Sequence, residues 1–342
     1  MADGGSKTAG GGSRKAIFAG LKLVLAAGIV GYLIHQLNAS GAFTRLIHEP
    51  KQWGALSAAL AFVLGGLSLN YVRWYLLVRA LDLPFTLTDA FRLGSLGFLL
   101  SQAAPSSVGG DVFKAAYVAH EHPGKRTEAV ASVLIDRVVG MFAMMLVATC
   151  GQFAAPELAR NSTLIRSLAT AVTAMTVCGA VGLALLMTPW FTGPAMQQRL
   201  AKLPLVGSTL ARLTAAAAVY RNDRRYLFAA IGVACCVHFL FVLGFWMIGR
   251  GLPVKAPSLA QTCLVGPMSL CASALPLTPG GVGLAEGAMG KMFSEIGLAS
   301  DDGYLVGIAF RAMMYVMAAL GAVYYVSARK SMKEIAGEAE QM

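Results

Sequence analysis

Long apolar segments recur along the sequence, and polar residues gather between them. A helix of about 20 apolar residues spans the hydrocarbon core of a membrane, which is about 30 Å thick. Six segments have this length with few charges inside them, at residues 16–36, 53–77, 129–153, 164–188, 227–248 and 304–326. The pattern predicts an all-α polytopic membrane protein with six full spans.

Two further apolar segments, residues 88–119 and 258–293, are interrupted near their middle. A broken helix exposes unpaired backbone groups, which are tolerated at membrane depth only where protein covers them or where they line a polar cavity. We therefore predict two re-entrant helical hairpins, which would bring the membrane segments to about eight. The interruptions consist of prolines and glycine pairs: Pro105 with Gly109 and Gly110, and Pro276 and Pro279 with Gly280 and Gly281.

The composition excludes an ordinary soluble enzyme. Of the 342 residues, 56% are hydrophobic and 13% are charged, whereas soluble proteins carry about 25% charged residues. The net charge of +11 does not indicate a nucleic-acid partner, because the basic residues are scattered between apolar segments instead of forming one basic face. With six spans, nineteen of the 28 Lys and Arg residues fall on the side of the two termini and seven on the other side, which favours cytoplasmic termini.

We expect a single membrane domain at residues 16–328. Residues 1–15 are rich in Gly and Ser and are expected to form a disordered cytoplasmic tail. Residues 329–342 are expected to form a second cytoplasmic tail, and residues 190–226 a basic cytoplasmic loop between the fourth and fifth spans.

The two interrupted segments belong to a longer internal repeat. Their breaks read APSSVGGD and LPLTPGGV, and charged residues around them align as well. The aligned pairs are Pro105 with Pro276 and Arg79 with Arg250, 171 residues apart, and Arg137 with Arg311, 174 residues apart. The repeats cover about 55–150 and about 227–326 and would enter the membrane from opposite sides. Inverted repeats of this kind are typical of secondary transporters, with the substrate site between them near the midplane; chance similarity of two Pro/Gly breaks is the alternative.

The breaks suggest anion binding. A helix that starts inside the membrane presents free N–H groups and the positive end of its dipole, and glycine lets a ligand approach the backbone closely. The alternative is that the hydroxyl residues simply cap the helices. The candidate ligands at the two breaks are Ser106, Ser107, Gly109 and Gly110, and Thr278, Gly280 and Gly281.

Of the charged residues in the predicted membrane segments, six are interpreted as intramembrane charges: Asp111, Lys114, Asp136, Arg137, Glu286 and Arg311. Intramembrane charges are costly and are usually paired or line a pathway. One interpretation is mutual ion pairing, for example of Arg137 with Asp111 or Glu286. The other is that the two arginines bind a lipid phosphate, which guanidinium matches bidentately. The two interpretations are compatible. Neither the cysteines nor the histidines occur at metal-ligand spacing, so no metal or cofactor is expected.

Three motifs together resemble the lysylphosphatidylglycerol synthase transmembrane region family, also called the flippase-like domain family. The motifs are QAAPSSVGGDVFKAAYV at 102–118, LIDRVVG at 134–140 and LPLTPGGVGLAEGAM at 275–289. In the best-known member, this domain is fused to a cytoplasmic synthase that transfers an aminoacyl group from tRNA to phosphatidylglycerol, and the membrane domain moves the product across the bilayer. Because this chain ends soon after its last predicted span, we expect a stand-alone member without the synthase domain, in the bacterial inner membrane.

The resemblance and the charged breaks together predict a lipid translocase. It would move an anionic or aminoacylated phospholipid, or a related lipid-linked headgroup, through a cleft between the repeats. No ATP-binding motif of the GxxxxGK[ST] type is present in the sequence. The alternatives are a non-catalytic membrane protein that docks a separate lipid-modifying enzyme on its basic loop, and an intramembrane enzyme acting on a lipid phosphate. The expected partners are membrane lipids and a lipid-modifying enzyme; the oligomeric state is left open, with a homodimer as one option.

Overall fold

The computed structural model describes residues 9–103, 109–122, 124–204, 223–275 and 277–327, together with residues 207, 211, 214, 217, 218, 220 and 221. These residues form α-helices and one short 3-10 turn, and no strand occurs among them. The all-α prediction is therefore confirmed for the described part of the chain.

Nine helices lie among the described residues between 9 and 201. They are α1 Ala9–Ala39, α2 Ala42–His48, α3 Trp53–Arg79, α4 Leu87–Ala103, α5 Gly109–Glu121, α6 Arg126–Ala154, α7 Pro156–Asn161, α8 Thr163–Leu186 and α9 Pro194–Ala201. The second half continues with α10 Arg224–Gly251, α11 Leu259–Ser273, the 3-10 turn Pro279–Gly281, α12 Leu284–Glu295 and α13 Ser300–Ser327.

Six of these helices are long and apolar enough to cross a membrane, as the sequence predicts. The membrane-compatible stretches are Gly20–Ala39, Trp53–Arg79, Glu128–Ala154, Thr163–Leu186, Arg224–Gly251 and Ser300–Val323. Large apolar side chains such as Val24 and Phe153 point outwards and are mostly exposed. Exposed apolar side chains suit contact with lipid tails, so the protein is a multi-pass membrane protein.

The two interrupted segments are each divided into a pair of helices. Helices α4 and α5 pack against each other, and so do α11 and α12. Pro105, Ser106, Ser107 and Pro276 lie outside the described residues. That each pair turns back within the membrane stays a prediction.

The N-terminal boundary differs from the expected one. Residues 9–15, expected as part of a disordered tail, are helical because α1 begins at Ala9. An existing helix extends readily, since each added residue gains a hydrogen bond without a new nucleation step. Residues 1–8 and the expected tail at 329–342 lie outside the described part of the chain.

Helices α3 and α10 pack along each other at the centre of the bundle. Both contribute to two apolar clusters. One surrounds Trp74 and Leu77 of α3 and includes side chains of α4, α5 and α6. The other surrounds Phe241 and Phe245 of α10 and includes side chains of α11, α12 and α13. Phe310 of α13 stacks on Phe245, with ring centroids 3.9 Å apart. A cavity lined by Trp74 of the first cluster and Phe241 of the second lies where the two clusters meet.

Candidate functional site

Two cavities lie among the predicted site residues. The larger, here called the main cavity, has a volume of about 330 Å³ and is lined by residues of α3, α4, α5, α6, α10 and α11. The smaller, of about 60 Å³, is lined by residues of α11, α12 and α13. Gln102, Ser273 and Gly280 line both cavities, so the two adjoin. Seven predicted residues line one or both: Asp111, Lys114, Asp136, Arg137, Gly280, Glu286 and Arg311.

Within the described residues, helix α5 begins at Gly109, in the stretch that the sequence predicts to lie at a helix start. Its second residue, Gly110, is buried against α4, and a Cβ atom there would overlap the carbonyl oxygen of Gly97. Glycine is therefore required at position 110 for the close packing of α4 and α5. This packing places Asp111, in the first turn of α5, at the wall of the main cavity.

Asp111 forms ion pairs with two basic side chains in the main cavity. Its carboxylate accepts a hydrogen bond from Nε of Arg137, and Nζ of Lys114 lies 3.3 Å from its other oxygen. Of the two partners considered for Arg137, Asp111 is the one that it contacts in the structure. The Arg137 side chain remains 50% exposed, whereas that of Asp111 is only 11% exposed. A ligand can therefore reach the guanidinium while the carboxylate holds it.

A second, more deeply buried ion pair lies beside the first. Nε of Arg73 donates to Asp136 over 2.8 Å, and Nζ of Lys114 lies 3.9 Å from the other Asp136 oxygen. Arg73 is one of the nineteen basic residues expected on the side of the two termini, but it lies within α3 and is only 5% exposed. The signal available in the sequence was Asp136 itself, since a carboxylate in a membrane span needs a cation.

The second break differs from the prediction. Helix α12 begins at Leu284, so Gly280 and Gly281 do not lie at its start. They form a 3-10 turn in which both have positive φ, 58° and 67°, a conformation that glycine adopts at little cost. The buried Thr278 hydroxyl donates to the carbonyl oxygen of Val282 over 2.9 Å and so stabilises the same turn.

This turn offers carbonyl oxygens instead of the N–H groups expected for anion binding. Arg311 donates to the carbonyl oxygens of Gly280 and Gly281, each over 3.0 Å. Its Nε and Nη2 also donate to Glu286. Glu286 in turn accepts the backbone N–H of Gly283 over 2.8 Å and so caps α12. These contacts occupy four of the five N–H groups of Arg311.

The two breaks thus share one ion-pair arrangement in different surroundings. In each, a carboxylate in the first turn after the break pairs with an arginine on the following long helix, at separations of 26 and 25 residues. Arg311 is 13% exposed, against 50% for Arg137. At the positions aligned with Arg73 and Asp136, the second half has Gly244 and Phe310. The charged side chains that line the main cavity therefore all come from the first half.

Three buried polar atoms of residues that line the main cavity have no hydrogen-bond partner among the described residues. They are the hydroxyl oxygen of Tyr71, Nε1 of Trp74 and Nδ1 of His238. Nε2 of His238 lies 3.0 Å from the carbonyl oxygen of Gly140, so it must donate there, and Nδ1 of the neutral ring is an acceptor. Buried polar atoms normally have partners. Trp74 and His238 therefore each place an unpaired polar atom close to the cations of the main cavity, and neither residue was predicted from the sequence.

Within the described residues, no group of three or more His, Cys, Asp or Glu side chains is arranged to hold a metal ion. The chemistry present at the two cavities is that of charged side chains, amide groups and backbone carbonyls.

Residues 20–321 match the model of one protein family, described as lysylphosphatidylglycerol synthase TM region. The match includes every residue of both cavities and every predicted site residue. No curated protein matches the chain.

Proposed function

The chain belongs to the lysylphosphatidylglycerol synthase TM region family, and on this premise we propose that it is a lipid translocase. It moves a phospholipid with an anionic or aminoacylated headgroup between the leaflets, with the headgroup passing through the main cavity. Family membership indicates a membrane protein linked to lipid handling; the translocation step is our proposal.

The proposed architecture consists of two inverted repeats, α3 to α6 and α10 to α13, each containing a re-entrant pair of helices. Corresponding helices have similar lengths: 27 and 28 residues for α3 and α10, and 29 and 28 residues for α6 and α13. Six spans would place both termini in the cytoplasm, in keeping with the distribution of basic residues. The site would then lie between the repeats, where transporters built in this way bind their substrates.

The observation that carries the proposal is the half-exposed pair of Arg137 and Asp111 in the main cavity. When a lipid phosphate enters, it replaces Asp111 as the partner of the guanidinium, which can bind phosphate through two parallel N–H groups. Because Arg137 exchanges one anion for another, neither the empty nor the occupied cavity contains an uncompensated arginine. Such an exchange permits binding and release, which a translocase requires.

Lys114 supports this exchange. Its ammonium group lies between Asp111, at 3.3 Å, and Asp136, at 3.9 Å. When the phosphate takes Arg137, Lys114 remains to neutralise Asp111, while Arg73 continues to neutralise Asp136. The released carboxylate therefore stays paired in a medium where a bare charge is costly.

Arg311 has a different role in this proposal. Most of its donors bind Glu286 and the turn at Gly280 and Gly281, so it holds the second break in shape. For the polar part of the headgroup, its hydroxyl or amine groups, we propose Trp74 and His238 as contacts, because their buried Nε1 and Nδ1 atoms have no partner in the described structure. The cavity is thus asymmetric, with its ligands drawn mainly from the first repeat.

Reconstitution of the purified full chain into proteoliposomes tests the proposal. A phosphatidylglycerol with a fluorescent acyl chain is included in both leaflets, and dithionite, which does not cross the bilayer, bleaches the outer label. A translocase brings inner-leaflet label outwards, so the protected fraction should fall with time and with protein concentration. A protected fraction equal to that of protein-free liposomes, with the protein folded and inserted, would refute the proposal.

A further inference from the structure

A separate cavity lies at one end of the bundle, beside the loop between α10 and α11. It has a volume of about 800 Å³ and shares no lining residue with the main or the small cavity. The start of α3 is fixed to the end of α10 there, because the backbone N–H of Gln52 donates to the carbonyl oxygen of Gly251 over 2.9 Å. We call this space the loop cavity.

Three basic side chains from three different elements line the loop cavity: Arg45 of α2, Arg250 in the last turn of α10, and Lys255 of the loop. The buried Asp302 fixes two of these elements. One of its oxygens accepts a hydrogen bond from Arg45 over 3.1 Å, and the other accepts from the backbone N–H of Lys255 over 3.0 Å. Both oxygens of this carboxylate are therefore already in use.

The other two positive charges have no acidic partner among the residues that the structure describes. Within the described residues, no carboxylate lies within ion-pair distance of the Arg250 guanidinium or of the Lys255 ammonium group. Arg250 instead lies against the Trp246 ring, 4.8 Å from its centroid. The cavity thus has a rigid frame, one neutralised arginine and two cations available to a ligand.

Simpler explanations do not account for the three basic residues at the loop cavity. The negative end of the α10 dipole favours a cation at Arg250, but Lys255 and Arg45 lie outside that helix. The positive-inside rule does not explain these basic residues either. In the proposed topology the loop cavity lies on the membrane face that carries only seven of the 28 basic residues, and the rule disfavours basic residues on that face. Three of those seven nevertheless surround one cavity.

We propose that the loop cavity is a second anion site, which binds a phosphate group through Arg250 and Lys255. A guanidinium and an ammonium group together are a common pair of ligands for phosphate. The volume suits a ligand of headgroup size, and Trp246 is of the residue type that lies at the level of lipid headgroups. The phosphate can belong to a phospholipid headgroup at this membrane surface or to a soluble phosphate.

Equilibrium binding to the full chain in detergent tests this site. The test variant is Arg250→Gln with Lys255→Gln. The matched control is Arg160→Gln with Arg166→Gln, which removes the same charge from exposed residues outside all three cavities. Both variants also carry Arg137→Gln, so that the main cavity contributes as little as possible to the measured binding. The probes, titrated at constant ionic strength, are dihexanoyl phosphatidylglycerol and inorganic phosphate.

The test variant should bind at least one probe at least about tenfold more weakly than the control, which corresponds to about 1.4 kcal/mol or more, because it lacks both proposed phosphate ligands. A loss confined to phosphatidylglycerol assigns the site to a lipid headgroup, and an equal loss for inorganic phosphate assigns it to a soluble anion. Equal affinities of the test and control variants for both probes would overturn the proposal. Matching melting temperatures of the two variants establish that folding is unaffected, and Lys255→Gln alone replaces the double variant if they differ. The outcome is independent of whether the chain moves lipid.

Discussion

Replacing Arg311 by Gln should destabilise the protein far more than the same replacement at Arg137. The two arginines align in the sequence and each pairs with a carboxylate in the first turn after a break. Their surroundings differ, however. Arg311 is 13% exposed and binds a carboxylate and two backbone carbonyls, whereas Arg137 is 50% exposed.

The magnitudes follow from what each replacement leaves behind. Without Arg311, the carboxylate of Glu286, which is 3% exposed, loses its cation, and breaking a buried pair in this way costs about 3–5 kcal/mol. Without Arg137, Asp111 keeps Lys114 at 3.3 Å, so the cost is about 1 kcal/mol or less, as for exposed pairs. Taken at about 2–4 °C per kcal/mol, the melting temperature should fall by about 10 °C for Arg311→Gln and by about 2 °C for Arg137→Gln.

Thermal unfolding of the purified variants in one detergent, followed by circular dichroism at 222 nm, measures this difference. Arg160→Gln, which removes an exposed arginine outside both cavities, is the control and should melt like the unchanged protein. If Arg311→Gln and Arg137→Gln lowered the melting temperature equally, Arg311 would not hold the second break, and the division of roles between the two arginines would be refuted.

Three further predictions concern the surroundings of the main cavity. Asp136→Asn should lower the free energy of unfolding by about 3–5 kcal/mol, because it leaves Arg73 buried without its partner. The apolar double replacement Arg73→Met with Asp136→Leu should recover most of that stability. The same melting measurement checks both variants, and a double variant as unstable as the single one would contradict the prediction. Gly110→Ala should destabilise the protein because its Cβ meets α4, whereas Gly287→Ala, where a Cβ has open space, should be neutral or stabilise by about 0.5–1 kcal/mol; equal melting temperatures would show that α4 and α5 can separate freely. Asp111→Asn should raise the affinity for phosphatidylglycerol several-fold, because it removes the carboxylate that competes for Arg137. Titration with a short-chain lipid measures this affinity, and a lower affinity would show that Asp111 itself binds the headgroup.

The long spans could be predicted from the sequence because the membrane fixes their length. Each of the six predicted segments overlaps a long apolar helix of the structure, with ends that differ by a few residues. Arg73 lies near the end of the predicted span 53–77, and in the structure it is buried inside the bundle. Hydropathy does not detect a charged residue near the end of a span that is neutralised by a carboxylate 63 residues away.

The site was predictable in its residue types but not in its contacts. That the intramembrane charges must be paired follows from the cost of a bare charge, and the pairing of Arg137 with Asp111 was one of the two alternatives. Gly280 and Gly281 present carbonyl oxygens to Arg311 instead of the expected N–H groups because both have positive φ. This could not be predicted, since a Pro-Gly-Gly motif is compatible with several turns. Trp74 and His238 could not be recognised, because their significance lies in buried atoms without a partner in the described structure.

The most direct test of the account is the initial rate at which Arg137→Gln moves phosphatidylglycerol across the bilayer in proteoliposomes, relative to Arg160→Gln. If Arg137 binds the phosphate on its way through the main cavity, Arg137→Gln should lose most of the protein-dependent rate at nearly unchanged melting temperature, while Arg160→Gln retains the full rate. Equal rates for the two variants at equal protein content would contradict the account.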